Sequence, residues 1–132
     1  MTRGHAVGFG GPLDELAARV RGVVHALAVS PAGLVMMSSS RLPVDRADVL
    51  AATASSLLSL TQGVARQFQA GGVTETVVRM DRGTLIVMPM RGEACLVVLA
   101  TPDCELGQVA YEMAVLAERW RPMSTMDNRQ GR

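Results

Sequence analysis

The sequence predicts an α+β fold, an α/β sandwich on a five-stranded antiparallel sheet, in the order helix, strand, strand, long helix, strand, strand, strand, helix. Three observations predict it. Each strand pair is joined by a tight turn (Pro31-Ala32-Gly33, Asp81-Arg82-Gly83, Arg91-Gly92-Glu93), a connection open to antiparallel neighbours alone. Residues 45–70 carry one continuous helical pattern, long for a chain of 132 residues. The last two strands, 84–90 and 94–101, are apolar at nearly every position, so both faces of the sheet centre must be covered. The long helix is expected on one face and the two terminal helices on the other.

Each element has its own signal. Leu13, Leu16, Ala17 and Val20 recur at helical spacing after Pro12, and Gly22 ends that helix. Residues 23–30 and 34–39 form a hairpin, and 41–44 a loop. Asp45 is placed to cap the long helix, which Gly71-Gly72 stops. In the third strand, 73–80, Thr74, Glu75, Thr76 and Arg79 give the polar character of a sheet edge. Pro89 falls near the end of its strand, where a missing N–H is tolerated. The last helix follows Pro102 with Asp103 as its cap and runs to 121, with Leu106, Val109, Ala110, Met113, Leu116, Ala117 and Trp120 on one stripe. Residues 1–11 and 122–132 lack periodicity and read as flexible tails around one domain, 12–121.

Composition excludes several chemistries. The chain is 48% hydrophobic and 19% charged, with mean hydropathy +0.23, enough to bury a core. Aromatic residues make up only 3%, too few for base stacking or an aromatic cage. All 13 basic residues are Arg. Without Lys there is no P-loop lysine, no Schiff base and no Ser-x-x-Lys nucleophile. A net charge of +1, spread along the chain, gives no footprint for nucleic acid or acidic lipid. No apolar run approaches the roughly 20 residues of a membrane span, nor does the N-terminus read as a signal peptide, so the expected location is the cytoplasm.

The remaining candidates have plain structural readings. His5 lies in a tail and His25 at the start of a strand, where a partly exposed strand histidine is the sober reading against a ligand or base. Cys95 and Cys104 fit neither a redox pair nor half a zinc site and read as reduced structural thiols. Gly8-Phe9-Gly10-Gly11 lacks the preceding strand of a phosphate loop. Asp45 and Asp48 suit the first turn of a helix better than a metal pair. Met88, Met90 and Met113 fall on core patterns and read as packing. No catalytic residue, metal site or cofactor is expected.

The long helix carries the positive signal. At 100° per residue, Leu50, Ala54, Leu57, Thr61, Val64 and Phe68 form an apolar stripe expected to face the sheet. The opposite face presents Ala52, Ser55, Ser56, Ser59 and Gly63. A solvated face would normally be charged, whereas small residues admit a second helix. With the third-strand edge (Thr74, Thr76, Val78), these positions are the candidate dimer interface.

Taken together, Leu13-x-x-Leu16, Gly22-Val23 with Ala26, Ser30-x-x-Gly33-Leu34 ending in Ser38-Ser39, the small-residue long helix, and Leu106-Gly107-x-x-x-Tyr111-Glu112-Met113 resemble the Roadblock (dynein light chain 7) family. The likeness is to its small bacterial members, found in actinobacterial gene clusters beside a Ras-like GTPase and a sensor-kinase-like protein. It covers about 13–121 and implies a noncatalytic homodimer, joined through the long helix and third strand, that binds or regulates a small Ras-like GTPase as scaffold or modulator of hydrolysis. The sensor-kinase-like protein is a further implied partner. It carries over no GTPase-contact residues. The rival reading is a small-molecule sensor of the PAS or profilin-like type, which needs a lined cavity.

Overall fold

The computed structural model describes residues 11–120. The expected tails, the Gly8-Phe9-Gly10-Gly11 run and Arg121 lie outside the described residues, apart from Gly11, which opens the first helix. In chain order the elements are α1 (Gly11–Arg19), β1 (Val23–Val29), β2 (Val35–Ser38), α2 (Val44–Gln67), β3 (Thr76–Met80), β4 (Gly83–Pro89), a 3-10 turn (Arg91–Glu93), β5 (Cys95–Ala100) and α3 (Leu106–Arg119). The five strands form one sheet in the order β2-β1-β5-β4-β3, with every neighbouring pair antiparallel. The polar third strand is indeed an edge.

Two apolar layers sandwich the sheet. Leu13 and Leu16 of α1 and Val109 and Met113 of α3 pack with Ala26, Ile86, Leu96 and Val98 on one face. On the other, α2 packs through Ala47, Ala51, Ala54 and Leu58 onto Leu27, Val87 and Val97. Met88, Met90 and Met113 are buried, as their spacing implied. Ser38-Ser39 closes the β1–β2 hairpin: Ala26 N donates to Ser39 Oγ at 3.0 Å, and Ser39 N donates to Ala26 O at 2.8 Å. Asp14 of α1 then holds the next residue, accepting from Ser40 N at 2.8 Å and Ser40 Oγ at 2.7 Å. These charge-assisted bonds fix the approach to α2.

Helix ends depart from expectation. Pro43, not Asp45, is the N-cap of α2; Asp45 sits in the first turn, where its Oδ1 accepts from Arg46 N. Pro cannot donate an N–H, which costs nothing at a helix start, and the carboxylate complements the dipole from inside the turn. The helix ends at Gln67, before Gly71-Gly72: Gln69 takes φ 49 and Ala70 N closes back on Ala65 O at 2.8 Å. Asp103 lies in a turn rather than capping α3, whose N-cap is Glu105 without a side-chain bond. The third strand begins at Thr76, three residues later than its composition suggested.

The rotation of α2 is the larger correction. Val64 and Phe68, expected against the sheet, are 58% and 72% exposed, whereas Ala54 is buried and Leu50 and Leu57, half-buried, pack at the margin of that layer. The buried line is Ala47, Ala51, Ala54, Leu58 and Ala65. Four of these five are alanines: against strands filled with Val and Leu, small side chains let the helix axis sit close, and the bulk is turned outward.

Gly22 has a packing role besides its turn. Its φ is +94, and a Cβ there would stand 2.8 Å from Cys104 Cβ and 3.1 Å from Thr101 Oγ1. Gly22→Ala combines left-handed strain with a clash and is expected to destabilise the fold by about 1–3 kcal/mol, read as a lower denaturant midpoint at unchanged slope.

Candidate functional site

The outward face of α2 has an unusual surface. From Val49 to Val64 no side chain is charged, and Val49, Leu60 and Val64 are 65%, 68% and 58% exposed. Phe68, just past the helix, continues this line. Ala52 and Ser56 are exposed beside it, and Gly63 has open space above its Cα. A solvated helix face would normally be studded with charge, and this one carries none over about four turns.

The small residues do not all share that face. Ser55 is half-buried, its Oγ 3.3 Å from where a Gly33 Cβ would stand, so it faces the β1–β2 turn. Ser59 lies on the same flank and lines a recess with that turn. Val64 is nine residues from Ser55, half a turn round the helix, and faces away. Outward α2 therefore joins Ala52, Ser56 and Gly63 to an apolar line of Val49, Leu60, Val64 and Phe68, of which Val64 and Phe68 were expected against the sheet. The uncharged tract was the available signal; the rotation hid its meaning.

The second component is the edge of β3, whose outer side pairs with no strand among the described residues. Thr76 and Val78 are half-buried, Val78 packing against the α2 layer, and Thr74 is exposed ahead of the strand. Thr76 Oγ1 is buried without a hydrogen-bond partner. The backbone edge, more than these side chains, is the feature open to a partner.

Elsewhere the chemistry is quiet. Among the described residues no group of three His, Cys, Asp or Glu is placed to hold a metal ion, and no helix is long and apolar enough to cross a membrane. Cys95 and Cys104 are free; burial pushes the Cys95 thiol up to about 11 and makes it a poor nucleophile. His25, half-buried on β1, has its pKa lowered by burial and then by Arg41 and Arg46, and its Nδ1 has no partner. A lowered folded pKa means that the unfolded chain binds the proton more tightly. Stability from His25 is thus complete above its ordinary 6.5 and is lost as pH falls from there through the folded value. Between about pH 7.5 and about pH 5.5 the wild type is expected to lose more denaturant resistance than His25→Gln, and equal losses would contradict this.

Comparison with known proteins agrees with this architecture. The family model described as Roadblock/LC7 domain matches residues 11–100. The chain belongs to the Roadblock/LC7 family. It is similar to the Roadblock/LC7 domain from Streptomyces avermitilis, at 34% identity and TM-score 0.80, covering 86% of this chain and 94% of that one. It is also similar to an MglB with tetrameric arrangement, at 25% identity and TM-score 0.70 over 86% and 90% of the two chains. Gliding protein MglB from Thermus thermophilus shares the fold at 23% identity and TM-score 0.65, over 87% and 97%. No curated protein matches the sequence.

Proposed function

We propose that the chain is a noncatalytic homodimeric docking module that binds a small Ras-like GTPase. The observation that carries the self-association is the charge-free, apolar outward face of α2 together with the unpaired edge of β3. A two-fold axis serves both, because one self-complementary patch does for two subunits and β3 pairs with its own copy to make a continuous sheet. Of the positions expected at the interface, Ala52, Ser56, Gly63, Thr74, Thr76 and Val78 are kept. Leu60 and Val64 join them in place of Ser55 and Ser59, which face the β1–β2 turn. Membership of the Roadblock/LC7 family supports the GTPase as partner, in line with what the sequence resemblance implies. The lack of Lys and the quiet His and Cys chemistry favour reshaping or scaffolding of the GTPase over catalysis.

Light scattering at micromolar concentration is expected to give twice the chain mass of 14.0 kDa. Val64→Glu places like charges about the axis without touching the core and is expected to give a folded monomer. A monomeric wild type contradicts the interface. For the partner, calorimetry with the Ras-like GTPase of the same gene neighbourhood, loaded with GDP or a nonhydrolysable GTP analogue, is expected to show binding to at least one state. Heat-silent titrations with both exclude that partner, and phosphate release from GTP by the protein alone contradicts the noncatalytic reading.

A further inference from the structure

A recess of about 320 Å³ lies between α3 and the end of β4. The recess under α2 itself, about 230 Å³, is bounded by the β1–β2 turn, the middle of α2 and the β4–β5 turn. Its polar lining residues are Ser30 and Ser55, half-buried, and Ser59, Gln62 and Glu93, exposed. Leu58 and Cys95, both buried, contribute the apolar part of its lining. Ser30 Oγ already accepts from Leu34 N at 3.2 Å. The side chains of Ser55, Ser59, Gln62 and Glu93 make no hydrogen bond or ion pair among the described residues.

Glu93 occupies a demanding position. It takes φ +66 directly after Gly92 at φ +71. Left-handed backbone costs a residue with a Cβ about 1–2 kcal/mol, which glycine would avoid. The strained turn nevertheless places an acidic residue in the lining of a recess whose other polar residues are neutral.

We infer that this recess is a receptor for one guanidinium group, the side chain of an arginine presented by a protein other than this chain. The lining holds one negative charge and no positive one, so it selects a cation over an anion. Its volume falls below the roughly 300–1,000 Å³ of ordinary small-molecule sites, which excludes a nucleotide and suits one functional group on a stem. Acceptors stand on three walls, and the planar guanidinium has five N–H donors: two fit the Glu93 carboxylate side by side, and the rest reach the Ser and Gln oxygens. A lysine ammonium has three donors and a stronger hold on water. The site rests on the docking-module reading only for the source of the arginine.

The test is a ¹H–¹⁵N NMR titration of the wild-type protein with N-acetyl-arginine methylamide, and with the citrulline analogue as an uncharged isostere. The expected result is saturable shifts of the Ser55, Ser59, Gln62 and Glu93 amides, with binding about tenfold weaker for citrulline and for Glu93→Gln. No saturable shift, or equal binding of the two analogues, overturns the site. Light scattering of Glu93→Gln separates the sources: an unchanged assembly mass agrees with an arginine from another protein, whereas dissociation assigns the arginine to a second copy of this chain and overturns that choice. A failure here leaves the wild-type assembly mass and the GTPase titration untouched, so the two readings fail separately.

Discussion

Burial of β4 and β5 on both faces is the constraint on which the rest of the molecule depends. Ile86, Val87, Leu96, Val97 and Val98 are fully buried, so neither face of the sheet centre can be left to water. Two helices share one face, and α2 alone must cover the other. Its 24 residues give it a length of about 36 Å, well beyond the roughly 20 Å width of five strands. To sit close on a surface of Val and Leu it turns Ala47, Ala51 and Ala54 inward. Several larger side chains are consequently displaced to the outside, where Val49, Leu60 and Val64 make a surface that water does not favour.

The same constraint explains what could be read from sequence. The unbroken apolar runs of β4 and β5, the turn residues between strands and the polarity of β3 each report one local requirement, so architecture and edge position were legible. Helix rotation was not. Ala counts weakly in a periodicity argument yet packs best here, so the bulk of Val64 and Phe68 drew the expected stripe away from the line through Ala47, Ala51 and Ala65. Cap positions failed for a related reason: Asp45 and Asp103 are good caps in isolation, but the chain path set by the Asp14–Ser40 bonds and by Pro43 decides where α2 begins. The recess at Glu93 left no pattern in sequence, since its walls come from three segments that only folding brings together.

With α2 so rotated, its two free sides have different characters. The outward face is apolar and suits a second copy, which also removes the open β3 edge that would otherwise invite uncontrolled pairing. The flank toward the β1–β2 turn is polar and recessed. On the proposed reading, self-association and partner recognition use separate surfaces of one helix, and a substitution in either is expected to leave the other available.

The most direct measurement is hydrogen–deuterium exchange at the amides of β3, Thr76 to Met80, under conditions where the wild type is assembled. Amides on the inner side pair with β4 in any case; those on the outer edge have no strand partner within the chain. The expected result is protection of alternate outer amides in the wild type that disappears in Val64→Glu while the inner amides stay protected. Outer amides that exchange freely in an intact wild-type assembly would contradict pairing through β3.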